Sequence, residues 1–280
     1  MTALLSLLAA AAYGLSDFNG GVQSKRINAW TIAFCGQLAG CTVTLTAALF
    51  VAGRPDGSDL LWAAAAGIGN GIGTAFFYRG LASGRMGVVA PVSGVGAAAL
   101  PVVVGVAIGE RPSLLVWVGI VVALPAIWLV SREPVSSTPA RGGLASSGLV
   151  DGALAGLGFG FLFVALSRVG DHAGLFPLAL NQAVAGLAIV AVALAFRQPW
   201  LPRERRAGLA AISGVLGASA TGLFMVASRG GHLSIAAVVI SLYPAFTVLL
   251  AALVLRERVH AAQGAGLALC ALSVALVAAG

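Results

Sequence analysis

The sequence predicts an all-α integral membrane protein of ten transmembrane helices, arranged as two inverted-topology five-helix repeats. Three observations carry this expectation. Only 9% of the 280 residues are charged while 59% are hydrophobic, and the mean hydropathy is +1.00. A soluble domain needs about 25% charged residues to clothe its surface, so lipid is the solvent for most of this chain. The apolar residues fall in continuous runs near the ~20 residues that cross a bilayer, without the alternation of a membrane β-barrel. Finally, the second half of the chain repeats the first.

The ten spans are delimited by charges, Trp or Pro/Gly clusters. The first, Leu4–Ser24, stops at Lys25-Arg26. No basic segment precedes it and its run continues through Asp17 and Asn19, so it is expected to be a retained helix rather than a cleaved signal. The second opens on Trp30 and ends at Val51, before Arg54-Pro55, and the third runs Leu60–Arg79. Gly87–Ile108 stops at Gly109-Glu110-Arg111-Pro112, and Leu114–Ser131 follows, carrying Trp117 and Trp128 near its ends as interfacial rings. A stretch rich in Ser, Gly, Pro and Arg, residues 132–148, joins the halves 1–131 and 149–280. The second half contributes Leu149–Ser167, Gly174–Phe196, Ala207–Ser228, Leu233–Leu255 and Ala262–Ala279. With connections this short there is no room for a soluble catalytic domain, so function must be built from helix side chains inside the membrane.

Charge placement sets the expected orientation. Lys25, Arg26, Arg79, Arg85, Arg132, Arg141, Arg197, Arg203, Arg205, Arg206, Arg256 and Arg258 fall in the odd-numbered loops. Only Arg54, Arg111, Arg168 and Arg229 fall in the even ones. The positive-inside rule then places the odd loops in the cytoplasm and both chain ends outside. Lys25 is the only Lys among the 16 basic residues, a bias toward Arg that fits a GC-rich bacterial genome and so a multi-pass protein of the bacterial inner membrane. The basic residues are spread singly, which argues against nucleic acid as a partner. Cys35, Cys41 and Cys270 are too few and scattered for a disulfide framework or zinc site. His172, His232 and His260 are equally dispersed, so neither a metal, a cofactor nor an enzymatic constellation is expected.

The repeat emerges when the chain is slid so that Gly67 falls on Gly214. Thr74, Phe77, Gly84, Glu110, Arg111 and Gly119 then fall on Thr221, Phe224, Gly231, Glu257, Arg258 and Gly266. Acidic residues are rare here, so Glu-Arg over Glu-Arg carries the weight. Shifted by one residue, Gly14 meets Gly160 and Gly40 meets Gly186, so each whole half takes part. Five helices per half is an odd number, which makes the second half enter the membrane inverted. Inverted repeats place a site at their interface near the midplane, and rocking one bundle against the other exposes it to alternate sides.

Several stretches resemble a known family. Phe77-Tyr78-Arg79-Gly80-Leu81-Ala82-Ser83-Gly84 leading to Gly109-Glu110-Arg111-Pro112, and Phe224 leading through Tyr243-Pro244 to Arg256-Glu257-Arg258-Val259, look like the two EamA repeats of the drug/metabolite transporter superfamily. Tyr13-Gly14-Leu15-Ser16-Asp17-Phe18 resembles that family's first-helix motif. The resemblance covers essentially the whole chain. It implies a ten-helix, two-repeat secondary carrier that exports small metabolites, amino acids or toxic compounds, as a monomer or homodimer in the lipid bilayer. Family members are often drawn with both ends in the cytoplasm, opposite to the charge count. Pro244 has no counterpart at Ala97, where Pro91 and Pro101 lie nearby instead.

An ionisable residue inside a membrane helix costs about 2.5–3.5 kcal/mol on insertion scales and is a functional candidate by default. Asp17 is the one acid read as well inside a span, suited to exchange a proton for substrate; the bland reading pairs it with Lys25 or Arg26. Uncharged polar residues at mid-span are the expected substrate contacts: Asn19, Gln37, Asn70, Ser93, Asn181, Gln182, Thr221, Ser241 and Tyr243. Interhelical hydrogen bonding is the alternative role for each. Glu110-Arg111 and Glu257-Arg258 are read as structural or gate pairs, each Glu beginning the following helix. Pro101 and Pro244 are read as kinks in moving helices. Gly67-Ile68-Gly69-Asn70-Gly71-Ile72-Gly73 lacks the Lys-Ser/Thr ending of a phosphate loop and reads as a packing seam, like Gly36/Gly40 and Gly152/Gly156/Gly160. The residues favour a proton-coupled exporter. They leave open an uncoupled facilitator or exchanger, and a membrane scaffold that transports nothing.

Overall fold

Polar residues ahead of apolar runs start several helices. The Asn28 side chain accepts from Trp30 N–H at 2.9 Å. Asp56 and Asp59 cap one another's backbone N–H groups at 2.8 and 3.0 Å, and Ser113 accepts from Val116 N–H at 3.3 Å. These satisfy donors that a helix cannot pair internally. In a computed structural model the chain is described at residues 1–24, 26–51, 53–83, 86–130, 148–229, 233–254 and 260–279, apart from the side chains of residues 86–88, 91, 205, 206 and 251.

The helices are α1 (Thr2–Ser24), α2 (Ala29–Ala48), α3 (Gly57–Ala82), α4 (Met86–Ala107), α5 (Leu114–Val130), α6 (Leu149–Leu166), α7 (Phe176–Ala195), α8 (Ala210–Ala227), α9 (Leu233–Ile240), α10 (Tyr243–Val254) and α11 (Ala261–Ala279). Seven helical stretches among the described residues are long and apolar enough to cross a bilayer, and Val92–Ala107 and Leu114–Val130 are shorter apolar helices. The ninth expected span is broken into α9 and α10. Pro244 has no N–H to donate, and Ala245 N–H turns to Leu242 O at 3.0 Å, so the helical ladder is interrupted at Ser241-Leu242. No such interruption occurs in α4, which runs on through Pro101.

α3 runs antiparallel to α6 and α1 to α8, and contacts identify the two ends. At one end His172 meets Asp59, and Glu110 meets Leu233; at the other, Gln23 meets Leu209 and Arg79 meets Asp151. The main packing partners cross between the halves: α1 with α8, α3 with α6, α2 with α7 and α8, α3 with α7, α4 with α6 and α9, α5 with α11. Exchanging each first-half helix for its second-half counterpart turns α1·α8 into α6·α3, and α2·α8 into α7·α3, so the pairing maps onto itself.

Glycines make this interleaving possible. Gly67 and Gly71 face Asn181 O and Ala185 O of α7, while Gly69 and Gly73 face Gly158 and Phe159 of α6. A Cβ at any of the four would come within 3.0 Å of those atoms. Gly214, the counterpart of Gly67, lies against Gly36 of α2, and Gly156 against Gly96 and Ser93 of α4. Close backbone approach replaces the hydrophobic driving force that lipid cannot supply. A dense apolar cluster, including Leu162, Leu166, Phe224, Met225, Leu233 and Ile240, fills the half of the bundle toward the His172 end.

Candidate functional site

Between the halves, at mid-depth of the bundle, lies a partly open cavity of about 70 Å³. Its polar wall comes from α2, α3 and α7. Gln37 Nε2 donates to Asn70 Oδ1 at 3.3 Å and to Thr74 Oγ1 at 3.4 Å, and Asn70 Nδ2 donates to Gln182 Oε1 at 3.3 Å. Opposite runs an aromatic wall, with ring centroids 5.9 Å apart for Phe159 and Phe77, and 6.4 Å for Phe77 and Tyr243, Tyr243 and Tyr13, and Tyr13 and Phe163. The Tyr13 hydroxyl is 2.6 Å from Thr221 Oγ1, and the Tyr243 hydroxyl is 3.2 Å from Ser93 Oγ. Asp17 lines the same space from α1. Tyr13, Tyr78 and Tyr243 line it too. Among the described residues no cation pairs with Asp17; Lys25, one of the two cations expected beside it, lies outside the described residues.

Of the residues chosen from sequence, Asp17, Gln37, Asn70, Gln182, Thr221 and Tyr243 line this cavity. Asn19, Ser93, Asn181 and Ser241 do not. Asn19 Nδ2 donates instead to Ser213 Oγ at 2.8 Å, tying α1 to α8. Ser93 stands behind Tyr243. Asn181 and Ser241 are fully buried, with no hydrogen-bond partner among the described residues for the Asn181 amide atoms or the Ser241 hydroxyl. The sequence reading passed over Ser16, Thr74, Phe159, Phe163 and Ser213 as lining residues. Helical spacing would have found Thr74, one turn after Asn70, and Ser16 beside Asp17; the Phe pair is one apolar choice among many until α6 is docked.

Glu110 corrects an expectation. Instead of starting the next helix, where Ser113 serves, its carboxylate accepts from Leu233 N–H at 2.6 Å and Ser234 N–H at 3.1 Å. It thus caps α9 in the other half, while Arg111 is exposed. Glu257 and Arg258 lie outside the described residues. Pro101 is buried in α4, and Pro244 sits in the first turn of α10. Asp151, in the first turn of α6, is ion-paired with Arg79 of α3 at the end of the bundle. The Arg79 guanidinium also lies 4.4 Å from the Phe76 ring centroid and 4.9 Å from that of Phe196.

His172 meets Asp59 at 3.1 Å, and with Asp56 the three offer ligand atoms within 4.8 Å of one another. Asp59 is already occupied by Gly170 N–H at 2.7 Å and Asp56 N–H at 3.0 Å. The group ties the α6–α7 connection to the start of α3 as a structural corner.

An all-helical chain with apolar spans, interleaved halves and a polar cavity at mid-depth defines a multi-pass membrane transporter built from two repeats. The chain belongs to the EamA-like transporter family, whose model matches it twice, at residues 1–132 and 146–279. That family implies a small-molecule substrate and a lipid surround. No curated protein matches the chain. A solved crystal structure, described only as that of a protein, has a TM-score of 0.73 at 16% identity, over 98% of this chain and 95% of its own. At that identity the likeness shows the fold.

Proposed function

We propose that this chain is a proton-coupled secondary transporter exporting small molecules across a bacterial inner membrane by alternating access between two inverted halves, 1–131 and 149–280. The carrying observation is the mid-depth cavity between the halves, where Asp17, paired with no cation among the described residues, stands among amides, hydroxyls and rings. An acid within a membrane bundle and without a cationic partner is costly. Either a proton or a substrate group removes that cost, so the two compete for one site. The exchange symmetry of the helix pairings supports a pseudo-twofold relation, under which one bundle rocks against the other. Apolar packing at the His172 end supports a conformer closed there and reached from the Arg79 end. The excess of Arg in the odd loops supports an Arg79 end in the cytoplasm with both chain ends outside, the reverse of how family members are often drawn, and with it entry of substrate from the cytoplasm.

Two experiments test this. Growth of a deletion strain against a panel of toxic metabolite analogues identifies what is exported; complementation by the wild-type chain and not by Asp17→Asn is the expected outcome. In proteoliposomes, a pH gradient drives accumulation of that compound. Accumulation unchanged by Asp17→Asn would remove Asp17 from the coupling step.

A further inference from the structure

We infer that the transported molecule is an organic cation, an amine whose charged head faces Asp17 and whose apolar, preferably aromatic, body lies along the ring wall. This rests on the reading of the cavity as a transport site. Among the described lining residues Asp17 is the one charged side chain, and none of them is Lys, Arg or His. An anionic head would find no counter-charge. The α10 N-terminus, close to the cavity through Tyr243, does not replace one. Pro244 lacks an N–H, Ala245 N–H is used by Leu242 O, and neither residue lines the space.

Neutral solutes can bond to the Gln37-Asn70-Gln182 amides, but they leave Asp17 uncompensated and do not displace its proton. A cation does both. The exchange balances: the protonated carboxyl gives up its O–H proton to water, and the ammonium N–H groups donate to the resulting carboxylate, so one proton leaves as one cation binds. Tyr13, Tyr78 and Tyr243 line the same space as Asp17; their phenols can accept and donate hydrogen bonds there and add ring faces. With Phe77, Phe159 and Phe163 these rings place cation-attracting faces around a single negative charge.

The test uses the purified full chain in nanodiscs with radiolabelled phenethylamine, in competition with 2-phenylethanol, 3-phenylpropionate and phenylalanine. Phenethylamine is expected to bind more weakly as pH falls, because protons compete for Asp17. The neutral and anionic analogues should compete at least about tenfold less well. Asp17→Asn should abolish the pH dependence and Asp17→Glu should keep it. Equal competition by 2-phenylethanol or 3-phenylpropionate overturns the inference, as does amine binding by the wild type that is independent of pH, or no amine binding at millimolar concentration. Proteoliposome flux separates the two readings. A pH-driven flux of the neutral or anionic analogue with none of the amine retains the transporter and sinks the cation; pH-dependent amine binding without flux of any probe does the reverse.

Discussion

At the residue scale, the amides of the polar wall show why polar side chains in membrane helices divide into ligands and glue. Asn70 both accepts from Gln37 and donates to Gln182, holding three helices while presenting the same atoms to the cavity. An interhelical hydrogen bond within a membrane is worth about 0.6 kcal/mol on average. Asn70→Leu is therefore expected to lower the thermal stability in detergent by only about 1 kcal/mol while abolishing substrate flux; a large loss of stability with flux retained would make Asn70 glue. Arg79 and Asp151 form the opposite case, a charge pair at the bundle end with side chains 30% and 12% exposed. Arg79→Ala leaves Asp151 uncompensated and strips the cation from Phe76 and Phe196. The expected cost, on the order of 1–3 kcal/mol, lies below that of breaking a fully buried pair because water still reaches the guanidinium; equilibrium unfolding in mixed micelles measures it. The sequence exposed Asp17 through the rarity of acids, yet it hid Asp151 at a span boundary, since one turn decides whether a carboxylate meets water or an arginine.

At the element scale, helix ends and glycine seams carry the specificity. Glu110 caps α9 across the halves, so Glu110→Ala should destabilise by about 1–2 kcal/mol, with Glu110→Gln retaining part of the cap but losing the charge that complements the helix dipole. An unchanged melting temperature for Glu110→Ala would show that α9 needs no such cap. Gly214 and Gly264 make a paired test of the seams. A Cβ at Gly214 collides with the Gly36 backbone, whereas nothing lies within 4 Å of one at Gly264. Gly214→Val should cost about 3 kcal/mol or more through overpacking, and Gly264→Ala should stabilise α11 by up to about 1 kcal/mol. Spacing alone revealed the seams, because small residues three or four apart must share a helix face. It could not say that Gly67 and Gly71 meet α7 while Gly69 and Gly73 meet α6, since that depends on which helices dock on either side of α3.

At the scale of the whole molecule, the proposed exchange between conformers predicts an asymmetric accessibility. With Cys35, Cys41 and Cys270 replaced by Ala, Ser213→Cys in the cavity wall should react with a membrane-impermeant thiol reagent added at the Arg79 end. Ala227→Cys, fully enclosed toward the His172 end, should react only when substrate or a pH gradient shifts the population, and then from the opposite side. Labelling of both positions from both sides at all times would show a channel and not a carrier.

The sequence by itself determined the class of molecule. The scarcity of charge dictates a lipid solvent, run length dictates spanning helices, and the register of Gly67 on Gly214 and Glu110 on Glu257 reveals the duplication. These are properties of composition and periodicity, which need no knowledge of neighbours. Tertiary structure alone decided which polar residues share a space. Gln37, Asn70 and Gln182 meet because α2, α3 and α7 pack together, Asn19 is drawn to Ser213 instead, and Glu110 reaches α9 rather than α5. Those outcomes turn on helix rotation and docking, and one residue's step, a rotation of about 100°, carries a side chain from the cavity to a seam or to lipid.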